Sequence, residues 1–196
     1  MLYVKIENNN IYFKNGLCAL FIKTINDREI FQPYSSLNLV ENDYAFPDIT
    51  FRDSTASIHL RSGISANVSE TPHMIVHTPF ICDSDNLHDV MTKIQKMMLI
   101  SSMTCGELLD EKMLKSIGIK RGMQLSRTEI TIMCLFGEGK DQIEIAKILA
   151  RSVRTVSTHI RNSINKMGMR SRADFYHYAT HITKFGPEVE VMNICL

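Results

Sequence analysis

The chain has 196 residues, 44% of them hydrophobic, and a formal net charge of +1. That length holds one domain or, more plausibly, two small ones, and the apolar fraction excludes a disordered chain. Its five cysteines (Cys18, Cys82, Cys105, Cys134, Cys195) are odd in number, far apart and free of any C-x-x-C pair, which excludes a disulfide framework or a zinc site and points to a reducing cytoplasm.

No apolar run approaches the roughly 20 residues of a membrane span, and the N-terminus lacks a basic stretch followed by a long apolar one. A cytoplasmic protein is expected. The charge is unevenly spread: residues 123–186 hold ten Lys and Arg against five Asp and Glu, leaving twelve basic against sixteen acidic residues elsewhere. A basic C-terminal module on a mildly acidic partner domain is an electrostatic pointer to nucleic acid.

In chain order, Leu2–Ile6 is a short β-prone run ended by the polar cluster Glu7–Asn10. Ile11–Ile25 carries Phe13, Leu17, Leu20, Phe21 and Ile25 near helical spacing, so an amphipathic helix follows. Residues 28–32 read as a second strand, which makes the first 35 residues an α/β unit. From Pro33 to Glu70 no helical period stands out, and only Ile49–Phe51 and Ser57–Leu60 lean towards strands. Met74–Phe80 is a buried-looking strand ended by Pro79. Asp83-Ser84-Asp85 then caps a helix from about Asn86 to Ile100, with Leu87, Val90, Met91, Ile94, Met97 and Met98 on one face. These readings give a domain at residues 1–104. Residues 105–122 form a partly helical linker.

From Leu125 to Arg172 three capped helical patterns follow one another. Ser126 and Glu129 form a capping box, and the helix they open buries Ile132, Met133 and Phe136, with Gly137 and Gly139 ending it. Asp141 and Glu144 repeat the device for a short helix that turns Ile145, Ala146 and Leu149 inward. Ser152 caps a third helix, where Val153, Val156, Ile160, Ile164 and Met167 recur at helical spacing before Gly168 stops it. Ser171 opens a fourth, reaching about Lys184. A short helix, a connection of about three residues and a longer helix make a helix-turn-helix. The far face of the third helix holds Arg154, Ser157, Thr158, Arg161 and Asn165, polar groups that suit a major groove about 12 Å wide. Taken alone, that face is better explained by plain solvation. Residues 123–186 form this domain, and the tail 187–196 packs either on the first domain or on a partner.

The stretch closely resembles the LuxR/FixJ-type (GerE-like) helix-turn-helix of bacterial regulators. The pattern L-[ST]-x-x-E appears as Leu125, Ser126 and Glu129, E-I-A as Glu144, Ile145 and Ala146, and T-V-x-x-H as Thr155, Val156 and His159. K-[LM]-G appears as Lys166, Met167 and Gly168, and S-R as Ser171 and Arg172, without a gap over forty-eight residues. The usual Asn-Lys before E-I-A is Gln142-Ile143 here, and the common Lys after T-V is Ser157. The resemblance implies base contacts from Ser157, Thr158 and Arg161, and backbone contacts from Gln142, Arg154, Thr155, Lys147 and Arg151. It implies a dimer contact on the fourth helix, where Phe175, Tyr176 and Tyr178 are candidates, and it implies no cofactor. As lone aromatics those three equally suit the core, and His159 is a packed helix residue.

The first domain's strand, acidic loop and helix, closed by a strand with a Pro-Phe turn, resemble the frame of a response-regulator receiver. An unrelated small α/β domain fits the same elements. Glu7 is the one acid at the first acidic position, Asp48 and Asp53 are the nearest to a phosphoacceptor, and Thr78 occupies the lysine position. Phosphotransfer to Asp needs Mg²⁺ held by several carboxylates and a cation for the acyl phosphate, so no phosphoacceptor and no metal site are expected. The fold class is therefore a degenerate receiver-like α/β domain followed by an all-α four-helix reader. The layout is similar to RcsA-like capsule co-regulators, which implies a promoter-binding regulator working as a homodimer or with a response regulator. A small-molecule-sensing regulator and an interaction protein that keeps the module as a partner surface are the alternatives. No nucleophile–base pair or metal cluster stands at a usable spacing, so an enzyme is not expected.

Overall fold

The computed structural model describes residues 1–27, 33–40, 47–60, 74–81, 85–184 and 190–196. The predicted strand at 28–32 lies outside the described residues. The first strand, β1 (Leu2–Glu7), alternates buried and half-buried residues, as a strand with one face in a core must. Asn10 opens α1 (Ile11–Asn26), its side chain accepting from the N–H groups of Tyr12 and Phe13 at 3.0 and 3.2 Å. That helix buries Leu17 and Phe21 on the sheet.

Four more strands of this half are described: β2 (Leu37–Leu39), β3 (Ile49–Arg52), β4 (Thr55–Leu60) and β5 (Met74–Pro79). The order β2-β1-β3-β4-β5 keeps the neighbour sequence of a flavodoxin-like sheet. The directions differ. β1 lies parallel to β2 and β3, but β4 is antiparallel to both β3 and β5. The cause is chain length: a parallel pairing needs a crossover of a dozen residues or more, and only Asp53 and Ser54 join β3 to β4, with Asp53 in the left-handed region at φ 51°. The sheet is therefore mixed.

Helix α2 (Leu87–Ser101) is capped by Asn86, which accepts from the Asp89 N–H at 2.9 Å. The expected cap at residues 83–85 thus gives way to the next residue, and residues 82–84 lie outside the described ones. Val90, Ile94, Met97, Met98 and Ile100 are buried, whereas Leu87, in the first turn, is exposed. Short helices α3 (Cys105–Leu109) and α4 (Glu111–Ser116) share Asp110, the C-cap of one and the N-cap of the other. The segment read as a linker adds buried Leu108 and Ile119 to the first core.

The chain's last residues return to this sheet. β6 (Glu190–Asn193) pairs parallel with β5, Met74 opposite Glu190 and His77 opposite Asn193. Ile194 then buries in the first core, its N–H donating to the His77 carbonyl at 2.9 Å. Of the two places open to the tail, the first domain takes it. Gln124 joins the two ends of the C-terminal module: its Oε1 accepts from the Cys195 N–H at 2.8 Å and its Nε2 donates to the Cys195 carbonyl at 3.0 Å. Burial pushes the Cys195 thiol up to about 11, which leaves it without thiolate reactivity near neutral pH.

Four helices form the module: α5 (Arg127–Gly137), α6 (Gln142–Ile148), α7 (Val153–Lys166) and α8 (Arg172–Ile182). Their shared core holds Ile132, Met133, Ile145, Val156, Ile160 and Phe175. α8 also faces the sheet. Tyr178 donates to Asn193 Oδ1 at 3.1 Å, and the His181 and His77 rings meet edge to face at 5.5 Å. His77 is fully buried and hydrogen-bonded to Ser57 at 2.8 Å; burial, then His181 and His59, push it down to about 3, so His77 is uncharged at neutral pH.

Candidate nucleic-acid interface

Every helix of the module starts on a side chain that satisfies its own free N–H groups. Ser126 with Glu129, Asp141 with Glu144 and Ser171 with Asp174 each form reciprocal capping boxes, and Ser152 accepts from the Thr155 N–H at 3.0 Å to open α7. Such caps are worth about 1 kcal/mol each and fix where a helix begins. The starting point of α7 sets the rotation of its outer face, so these caps place the candidate readers.

Glu129 also holds α7 from below. Its carboxylate, 3% exposed, accepts from Lys166 Nζ at 2.7 Å, and Lys166 donates to the Gln124 carbonyl at 3.1 Å. Burial raises the Glu129 carboxyl, but Lys166 and the Ser126 cap outweigh it and leave it below the usual range. The pair locks the C-terminal end of α7 onto the start of α5.

The turn between α6 and α7 carries strain. Ala150 stands at φ 49°, a conformation costing a non-glycine residue roughly 1–2 kcal/mol. Ala150→Gly is expected to raise stability by about 0.5–1 kcal/mol once the extra entropy of the unfolded glycine is set against the relief. Chemical denaturation of the two chains checks this; a lower midpoint for the glycine variant would show that the turn is unstrained.

On the outer face Arg154, Thr158 and Arg161 are exposed and Ser157 is half-buried. The Thr158 hydroxyl donates to the Arg154 carbonyl at 3.0 Å, which leaves its oxygen lone pairs outward. Thr155 is half-buried against the Ser152 hydroxyl at 2.8 Å. Lys147, Arg151, Arg154 and Arg161 are exposed and have no carboxylate partner among the described residues. Gln142 stands at the start of α6; with its amide oxygen turned to Arg172 it accepts from both guanidinium nitrogens at 3.1 and 3.0 Å. Arg172 in turn lies over the Phe136 ring, 5.1 Å from its centroid. Arg172 stands at the first position of α8 and its partners lie in α5 and α6, so nothing local in the sequence signals this role.

Several expectations change. Phe175 and Tyr178 are 0% and 1% exposed, so they fill the core between α5, α8 and the sheet and present nothing to a second copy. Tyr176 alone of the three is exposed, edge to face with Phe136 at 5.6 Å. Val153 belongs to the expected apolar face, yet it is 42% exposed, because it stands at the edge of that face on the side of half-buried Ser157, whereas Val156 in the same turn is buried. As expected, Gly137 is the last residue of α5, where it is buried, and Gly139, at φ 86°, makes the left-handed stop. Met167 and Gly168 end α7 as expected, with Gly168 at φ 63°. α8 closes at Ile182, and residues 185–189 are outside the described ones.

In the first domain, Glu7 pairs with Arg52 and, at 3.0 Å, with Lys5. The hydrogen bond from Arg52, against burial and with Lys5, holds its carboxyl below the usual range. Asp48 accepts from the Tyr3 N–H at 2.8 Å at the start of β3, and Asp53 lies in the hairpin turn. Thr78 is fully buried. Among the described residues no three His, Cys, Asp or Glu cluster in a way that would hold a metal ion, and no helix is long and apolar enough to cross a membrane.

Capped helices around a tight turn, with an exposed unpaired cationic face on the longer one, define a helix-turn-helix nucleic-acid-binding module. Residues 123–179 match the family described as bacterial regulatory proteins, luxR family, and that module is a luxR-family helix-turn-helix domain. The transcriptional regulatory protein LiaR of Bacillus subtilis (strain 168) is similar, 37% identical over 60 residues, which are 30% of this chain and 28% of LiaR. The chain thus matches little more than a quarter of that relative's length.

Among solved structures, Escherichia coli SdiA is 20% identical over 87% of this chain and 71% of its own, at a TM-score of 0.32. The Salmonella typhimurium RcsB response regulator is 16% identical over 92% of this chain and 100% of its own, also at 0.32. RcsB in its complex with DNA is 17% identical over 93% and 99%, at 0.31.

Proposed function

We propose that the chain is a transcription regulator that binds promoter DNA in a sequence-specific way through α7, as a dimer or beside a response regulator, and that it acts without phosphorylation. The observation that carries the DNA reading is the outer face of α7. Arg154, Thr158 and Arg161 stand free of carboxylates among the described residues on a helix whose start and end are both pinned. Arg161 reads base edges with Ser157 and Thr158, while Lys147, Arg151, Arg154, Thr155 and Gln142 hold phosphates and set the register.

Independence from phosphate rests on the chemistry of the first domain. Glu7 is neutralised by two cations, Thr78 replaces a cation at the end of β5, and Asp53 sits in a hairpin turn beside Arg52. Among the described residues, such a site offers Mg²⁺ compensated carboxylates where phosphoryl transfer needs several free ones. For the dimer, Tyr176 is the remaining exposed aromatic on α8.

The test incubates the full chain with acetyl phosphate and Mg²⁺ and measures affinity for a duplex recovered from its genomic binding sites. Affinity within twofold of the untreated chain is expected. A phosphorylation-dependent rise would overturn the phosphate-independent reading, and recovery of no enriched sites would overturn the DNA reading itself.

A further inference from the structure

The first turn of α7 carries an apolar side chain that the core leaves exposed. Val153 is 42% exposed, and it is the one large hydrophobic residue of α7 on the exposed surface; its neighbours Ser152, Arg154 and Thr158 are polar and exposed as well. The helix start does not need it, because Ser152 supplies the cap and Thr155 its partner. Nor does helix propensity favour it, since a β-branched residue loses rotamer freedom there.

Its position is informative. Residues four apart on a helix stand one above the other on the same face. Val153, Ser157 and Arg161 are spaced by four, so they form one stripe along α7, with Val153 at its N-terminal end. Recognition helices present their N-terminal residues to base edges. In the major groove the one apolar feature is the thymine 5-methyl group.

We infer that Val153 is a specificity-determining residue whose side chain packs on a thymine methyl next to the base pair contacted by Ser157. The inference rests on the DNA-reading function proposed above. The chemistry is one-sided: cytosine offers an amino group at the same edge, which an isopropyl group cannot accept from and would strip of water. Val153 therefore favours thymine over cytosine, at a place in the site that none of the polar readers reaches. Arg161, two turns further along the stripe, reads the opposite end.

The test uses the full chain and a duplex selected from a random pool. Each thymine of the selected site is replaced in turn by deoxyuridine, which removes only the methyl group. For the unaltered chain one thymine per half-site is expected to lose about fourfold in affinity, the worth of one buried methyl. Val153→Ala should bind the thymine and deoxyuridine duplexes equally, and its circular dichroism should match the parent because the side chain is outside the core. The inference is overturned if no single deoxyuridine weakens binding, or if the same one weakens Val153→Ala by the same factor. A chain that selects no duplex at all would bring down the DNA reading and this inference together, which separates the two failures.

Discussion

Replacing Gly137 by alanine is expected to destabilise the chain by about 2 kcal/mol, although alanine is the better helix former. A Cβ built at this position lies 2.5 Å from both the backbone carbon and the oxygen of Ala179, and 3.0 Å from the Thr180 nitrogen. These are main-chain atoms of α8, so no rotamer change relieves the contact, and α5 and α8 must move apart. Overpacking of this kind costs typically 1–3 kcal/mol, here towards the upper end. Helix propensity returns about 1 kcal/mol of it. The clash wins.

Thermal unfolding should show the midpoint falling by roughly 4–8 °C for a chain of this size. Gly16→Ala in α1 is the control. Its added Cβ meets nothing within 4 Å, so propensity acts alone and the midpoint should rise. A Gly137→Ala chain as stable as the parent would mean that α5 and α8 are not packed this closely.

Arg161→Ala should cost the selected DNA site roughly 5- to 150-fold in affinity, the worth of 1–3 kcal/mol for one bidentate contact to guanine. The fold should be untouched, because Arg161 is exposed and has no carboxylate partner among the described residues. Binding to unrelated duplex should change much less. Arg154→Ala provides the contrast: as a phosphate contact it should weaken all duplexes alike and reduce the slope of affinity against salt by about one ion. Equilibrium titrations at three salt concentrations separate the two patterns. If Arg161→Ala weakened specific and unrelated duplexes equally, Arg161 would be a backbone contact and the reading face would have to be redrawn.

What the sequence made legible was local. Ser126 and Glu129, or Asp141 and Glu144, are three residues apart and act on the backbone between them, so their spacing alone locates the helix starts. Gly168 likewise reveals itself by its left-handed φ requirement. What stayed hidden depends on partners distant in the chain. β6 pairs with a strand more than a hundred residues upstream, and its four residues carry no period of their own. The β3–β4 hairpin turns on Asp53-Ser54, not on the Asn-Gly or Asp-Gly pair that would have announced it.

Two single residues illustrate the same limit within the module. Gly137, followed by a second glycine two positions later, marks the end of α5 in the sequence, but the close approach of α8 that it also permits leaves no local sign. Val153 fits the apolar period of α7, but it stands at the edge of that face, on the side of half-buried Ser157, and is 42% exposed while Val156 in the same turn is buried. Phe175 and Tyr178 were placed on a possible interface by family pattern; their burial follows from α8 being sandwiched between α5 and the sheet.

The return of β6 to the first sheet also bears on how such a reader is positioned. The module is tied to the returning tail at two places, through Gln124 to Cys195 and through Tyr178 to Asn193. Its outer face on α7, with Arg154, Thr158 and Arg161, stays exposed in this arrangement, so the DNA contact proposed for it requires no release of the tail.

The most direct test is the ratio of affinities of the full chain for its selected duplex and for a scrambled duplex of the same length, at about 0.1 M salt. A sequence-reading module should prefer its site by roughly 10³-fold or more, with both affinities falling as salt rises. Equal affinities for the two duplexes would contradict it.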